Sequence, residues 1–169
     1  MQFTELKNIL STAFPNVELQ FVQEDFLQPI VVVPSKHLVE ICTFLKNDPR
    51  LFFDFLSCIS SIDYGVEKNT MAVSYNLASI PFNTQVCLRV ELDRSKIDEL
   101  QVPTVSELWR TADWHEREAF DMMGIRFSKH PDLRRILCPD DWEGYPLRKD
   151  YVAAELYKGL KINFDRSTN

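Results

Sequence analysis

No two cysteines in this 169-residue chain stand close enough to share a metal or a cluster. The four, Cys42, Cys58, Cys87 and Cys138, are 16, 29 and 51 positions apart, which excludes CxxC-type zinc and iron–sulfur sites built within the chain alone. Nor does any apolar run approach the roughly 20 residues that cross a bilayer. The amphipathic start MQFTELKNIL has neither the cationic block nor the apolar block of a signal peptide, so the expectation is a soluble, intracellular chain. Positive charge is short as well: 19 Lys and Arg against 25 Asp and Glu leave a net charge of −6. That balance argues against binding a phosphate backbone, and no nucleic-acid partner is expected. Repeats and low-complexity segments are missing. What is present is apolar material, 45% of the residues with 12% aromatic, enough for one core and therefore for one domain with room for a tail.

Periodicity places the elements. Phe3, Leu6, Ile9, Leu10 and Ala13 recur at helical spacing and predict a helix over residues 2–14, ended by Pro15. VELQFVQ and PIVVVP flank an acidic turn and read as a hairpin. Ser35 is expected to cap a second helix with the stripe Leu38, Ile41, Cys42 and Leu45, stopped at Asn47-Asp48-Pro49. FFDFLSCISSIDY, MAVSYNLAS and TQVCLRVEL follow as strands. All-parallel pairing would need a helix between each pair of strands. The expected fold is therefore α/β of the α+β type, a two-layer module whose mixed sheet is covered by helices on one face. Three cysteines sit among apolar neighbours, in EICTF, LSCIS and QVCLR, where a free thiol acts as a small buried hydrophobe.

After Pro103 the texture changes. Thr104 with Glu107, and Asp113 with Glu116, read as capping boxes for two helices, with Gly124 as the stop of the second, over residues 114–123. That second helix carries WHEREAFDMMG, a histidine, three carboxylates and an arginine among large apolar side chains. On a helical wheel the apolar groups spread around most of the cylinder, which predicts a buried helix whose charges have buried partners. Arg117 and Asp121 are spaced to pair at i, i+4. A hydrolase using Glu118 and Asp121 is the enzymatic alternative. It is the weaker one, because carboxylates on consecutive turns of one helix point the same way rather than across a cleft. HERE is not the HExxH of a zinc site, and His37 stands isolated on a helix.

From Ser128 onward no period persists, and an extended arm is expected, with residues 1–127 as the module and 128–169 as the arm and tail. Between Arg126 and Asp150 six basic residues meet five acidic ones, so the arm is the relatively basic part of an acidic chain. Leu133, Ile136, Leu137, Trp142 and Tyr145 alternate with Arg134 and Arg135, the composition of a protein interface. The same residues would also serve an arm folded back on its own module, with Arg134 and Arg135 pairing the helix carboxylates. Both readings stand at this point.

Glu116-Arg117-Glu118, then after two residues Asp121-Met122-Met123, after six more His130, and after three more Arg134 followed at one remove by Ile136-Leu137, resembles the diagnostic motif of the C-subunit family of proton-pumping NADH:quinone oxidoreductase, respiratory complex I. DDWEGYPLRKDY is similar to the same family's C-terminal arm. Two departures stand out: His115 lies where relatives often carry an aromatic or aliphatic residue, and Tyr145 where many carry histidine.

The resemblance implies a structural subunit of the hydrophilic arm, with no flavin or iron–sulfur cluster of its own. FMN and the clusters would belong to partner subunits. The D-type subunit of that complex would be the main partner, with the B and I types as neighbours, on the cytoplasmic side of the bacterial inner membrane. It also implies structural and docking roles for Glu116, Arg117, Glu118, Asp121, Gly124, His130, Pro131, Arg134, Arg135, Trp142, Gly144, Pro146, Arg148 and Asp150, and a catalytic role for none. A related domain in membrane-bound nickel–iron hydrogenases gives a second reading, as part of a hydrogenase-type assembly.

Overall fold

β-Branched and apolar residues alternating with small polar ones build a five-stranded sheet in the computed structural model, which describes residues 3–22, 28–96 and 101–162. Its strands are β1 (Gln20–Val22), β2 (Ile30–Val32), β3 (Phe55–Asp63), β4 (Thr70–Ser79) and β5 (Thr84–Asp93), in the order β1-β2-β5-β4-β3. Only β2 and β5 pair in parallel, so the sheet is mixed and the expected hairpin of β1 and β2 is present. The parallel pair is possible because a helix intervenes in the chain between β2 and β5.

Register sorts the side chains onto two faces. Val31, Leu88, Tyr75 and Ile59 form one cross-sheet row, flanked by Val86-Leu77-Leu56 and by Val90-Val73, beyond which lies Leu92-Met71-Asp63. These residues are buried. A bulge between Leu56 and Cys58 re-phases β3, so that Leu56 and Ile59 both face inward. Against this face pack α1 (Phe3–Ala13), through Leu6 and Leu10, and α2 (Leu38–Asn47), through Leu38, Ile41, Cys42 and Leu45. The third helix, α3 (Thr111–Met123), lies along β3 and adds Ala112, Ala119 and Met122 to the same core. The opposite face carries no helix among the described residues.

Two short parallel strands, β6 (Gln101–Pro103) and β7 (Arg126–Ser128), clamp the segments entering and leaving α3. Beyond β7 the chain runs through turns to a small hairpin of β8 (Leu156–Tyr157) and β9 (Leu160–Lys161). No helix of the described residues is long and apolar enough to cross a membrane.

Several local expectations are corrected. Ser35 does not cap α2; it lies in a 3-10 turn leading into the helix, with its hydroxyl toward the carbonyl of Gln101. Thr104–Trp109 is a turn rather than a helix, since Thr104 Oγ bonds Ser106 and Glu116 instead of heading a capping box with Glu107. α3 begins three residues before the expected start, with no side-chain cap at Arg110, and Glu116 turns away from its own helix. Cys58 is half-buried on the helix-free face and Cys87 is buried on that same face, so of the three only Cys42 joins the core under the helices. Residue 2 of the first helix, the acidic turn between β1 and β2, and the tail from 163 lie outside the described residues.

Candidate functional site

α3 ends inside the protein. Asp121, Met122 and Met123 are buried, and the last four carbonyls of any helix have no partner within it. Here each finds one. Gly124 N–H bonds Phe120 O at 2.8 Å and Arg135 Nη1 bonds Asp121 O at 3.1 Å. Leu147 N–H bonds Met122 O at 3.0 Å, and Arg148 Nε bonds Met123 O at 2.7 Å. Three of the four donors come from the arm, and two are guanidinium groups, which the negative end of a helix favours.

The Asp121 side chain fixes the same junction from the other side. Fully buried, it accepts Arg135 Nη1 at 2.6 Å on one oxygen. The other oxygen takes three successive backbone N–H groups, of Ile136, Leu137 and Cys138, at 3.0, 2.7 and 2.8 Å. Consecutive N–H groups converging in this way form an anion-binding nest. Burial alone would raise the Asp121 pKa; the nest and Arg135 together outweigh it and hold the carboxyl below its ordinary range. Arg135 Nη2 donates to the carbonyls of Trp142 and Gly144, both at 2.9 Å. The Arg117–Asp121 pair suggested by spacing does not form: Arg117 donates to the carbonyls of Arg134 and Arg135 and stacks on Trp114.

Gly124 serves twice. Its φ of 74° is the left-handed cap that terminates α3, and a Cβ there would lie 2.6 Å from the Tyr145 ring and collide with Arg148. Tyr145 packs edge-on against Phe120, with the Arg148 guanidinium 4.4 Å from its centroid. Trp142 packs on Tyr157, and Pro146 is half-buried.

Glu116 sits in different surroundings. It is fully buried and meets no arginine among the described residues, contrary to the expectation that the helix carboxylates pair with the arm's guanidinium groups. Val105 N–H reaches it at 2.9 Å, Thr104 Oγ at 2.5 Å, and His130 Nε2 lies 3.8 Å away. Burial pushes its carboxyl up to about 7, assisted by Asp113 and only partly opposed by Thr104 and Val105. His130 accepts Asp132 N–H at Nδ1 and therefore carries its proton on Nε2, which donates to Asp113 O at 3.1 Å. Glu116 thus staples the turn that precedes α3, while Asp121 staples the arm that follows it.

The remaining expected residues are placed apart. Glu118 is exposed. Pro131 is exposed, and Arg134 is exposed and, among the described residues, paired with neighbouring Asp132. Asp150 meets Arg94 at 2.5 Å in a second clasp that the sequence pattern did not indicate. There, buried Asp63 at the end of β3 accepts Arg94 Nε, Gly65 N–H and, from the arm, Lys149 N–H at 2.8 Å. Burial works to raise the Asp63 pKa, but these donors hold the carboxyl low. The Asp-x-Gly turn was a visible signal for the Gly65 bond; the partner 86 positions away was not.

The hydrolase alternative has no support in this geometry. Both carboxylate oxygens of Asp121 are bonded within the chain, Glu118 stands on open surface, and the cavity of about 260 Å³ in the arm is lined by Asp141, Trp142, Tyr151 and Tyr157 rather than by either carboxylate.

Fold and site together define a class: a two-layer α+β module whose C-terminal arm is clasped to the buried end of a central helix. Residues 31–157 match the family described as respiratory-chain NADH dehydrogenase, 30 kDa subunit, and the chain belongs to that family. It is 45% identical over 134 residues to the C-type subunit of NADH-quinone oxidoreductase from Chlorobium phaeobacteroides, covering 79% of this chain and 78% of that protein. To the corresponding protein of Chloroherpeton thalassium it is 50% identical over 124 residues, 73% of this chain but 50% of the relative, so it spans about half the length of that protein. Among solved structures the fold recurs, with a TM-score of 0.70 at 23% identity, in a chain of a membrane-bound sulfane sulfur reductase, an archaeal respiratory membrane complex; the match covers 88% of this chain and 84% of that one.

Two outcomes test the site. Asp121→Asn turns an amide toward three N–H donors and leaves Arg135 without its carboxylate, so it should cost the isolated chain about 3 kcal/mol or more in denaturant unfolding. Asp132→Asn, on the surface, should cost nothing measurable. Because the folded-state pKa of Glu116 is raised, its contribution is complete below the ordinary carboxyl value of 4.5 and is lost as pH rises through about 7. The contribution is on the order of 3 kcal/mol. Glu116→Gln should remove this decline between pH 5 and 8, and an unchanged slope in the variant would rule the assignment out.

Proposed function

We propose that the chain is a structural subunit of an NADH:quinone oxidoreductase of the complex I type, holding the quinone-reducing part of the hydrophilic arm in place without carrying a redox centre. The observation that carries the reading is family membership combined with the way the motif's charges are spent. Asp121, Arg117, Arg135 and Arg148 are engaged within the chain, and Glu118 stands exposed on the surface. What the clasp leaves outward is a set of interface-type side chains: Leu137, Leu147 and Trp114 are 64%, 56% and 62% exposed, and Arg134 stands beside them in sequence. Exposed apolar groups mixed with arginine suit a protein partner.

In this reading the D-type subunit is the chief partner, with the B and I types as neighbours. FMN and the iron–sulfur clusters reside in other subunits, and the chain is peripheral to the cytoplasmic face of the inner membrane. Identities of 45% and 50% to C-type subunits of NADH-quinone oxidoreductases favour this assembly over a hydrogenase-type one. Residues 1–127 act as the packing module and 128–169 as the docking arm. Within that arm, His130, Trp142, Gly144, Pro146 and Asp150 set its shape, and Arg134 meets the partner.

Arg134→Glu separates docking from folding. Purified through a tag on this chain, the variant should bring down less of the assembled complex and its partner subunits than wild type, while the melting midpoint of the isolated chain stays the same. Full assembly with full quinone reductase activity in the variant would contradict docking through this side of the arm.

A further inference from the structure

The sheet face that carries no helix has its own chemistry. Register aligns Ile30, Cys87, Asn76 and Cys58 in one row across it, and Val32, Arg89, Ser74 and Ser60 in the next. The buried residues of this face, Ile30, Ala72 and Cys87, belong to no part of the core cluster, to which all three helices contribute. At its centre lies Arg89, half-buried, with Nε out of reach of solvent and without a hydrogen-bond partner; no carboxylate among the described residues pairs with it. Beside it the buried Ser74 hydroxyl has no oxygen or nitrogen partner. Arg94, Arg117, Arg135 and Arg148, by contrast, are each bonded to a carboxylate or a carbonyl. A guanidinium partly withdrawn from water and left unpaired is unfavourable, and a carboxylate presented edge-on is the group that satisfies it with two parallel bonds.

We propose that this face is a second docking surface, on which Arg89 receives an Asp or Glu side chain of another protein in the assembly. Ser60, Ser74 and Asn76 surround that carboxylate with small polar groups, so the fit is to a polar partner surface rather than to an apolar helix. The surface is separate from the arm, because the arm attaches at the end of α3 and at Asp63, on the opposite side of the sheet. The proposal rests on the reading that the chain works within an assembly, and native thiols allow the two to fail separately. Cys58 lies on the helix-free face one row from Arg89, Cys138 lies in the arm, and Cys42 is buried in the core.

The test is iodoacetamide labelling of the purified complex and of the isolated full chain, read by mass spectrometry. Cys58 should label in the isolated chain and fall to the level of Cys42 in the complex. Arg89→Gln should restore Cys58 labelling in the complex while leaving the melting midpoint of the isolated chain unchanged. Equal labelling of Cys58 in both states overturns the proposal, whereas protection of Cys138 reports on the arm alone. Glu24 and Asp25, in the connection between β1 and β2, are the chain's own candidates for Arg89. If Cys58 is already protected in the isolated chain, and E24Q/D25N exposes it, the guanidinium is satisfied internally and the proposal fails.

Discussion

A helix that ends in the interior must have its last four carbonyls satisfied there, and α3 meets that requirement with donors that are mostly not its own. Arg135, Leu147 and Arg148 supply three of the four bonds, and each belongs to the segment after β7. The arm therefore has little regular secondary structure of its own, yet its path is specified at residue resolution. Once Arg135 is seated on Asp121, its other donors draw in the carbonyls of Trp142 and Gly144, and the turn they define brings Leu147 and Arg148 back to the helix end. Gly124 is the steric counterpart, since the arm passes where any Cβ would stand.

Three buried carboxylates show how surroundings, not residue type, decide the outcome. Asp121 and Asp63 each face backbone N–H groups together with an arginine, and both are held as anions. Glu116 faces one N–H, one hydroxyl and a neutral histidine, and its proton affinity rises into the physiological range. The first two bind the arm to the module; the third binds the turn before α3, with a strength that depends on pH. All three are buried and bonded within the chain, and this is why a cluster with the look of acid–base chemistry reads instead as an assembly of internal fasteners.

Much of the module was legible in the sequence because its signals are local. The stripe Leu38, Ile41, Cys42 and Leu45 and the alternation in MAVSYNLAS report burial over a few residues, and the structure places them in the core. The Gly124 stop was equally plain. What was not legible depends on distance along the chain. Thr104 and Glu107 have the spacing of a capping box, but Glu116 competes for Thr104 from the next helix and wins. Arg117 and Asp121 have the spacing of a pair, but a nest of three N–H groups and Arg135 is a better partner for the aspartate. The Asp63–Arg94–Asp150 clasp joins three segments that no window spans.

If the arm is part of the fold, and not a loose tail that orders only on a partner, its three nest amides belong to the same cooperative unit as the helix they hold. Amide hydrogen exchange of the isolated chain measures this directly. The amides of Ile136, Leu137 and Cys138 should exchange at the slow rate of the Met122 and Met123 amides of α3. Exchange of those three at the rate of open chain, with α3 still protected, would show that Asp121 does not hold the arm.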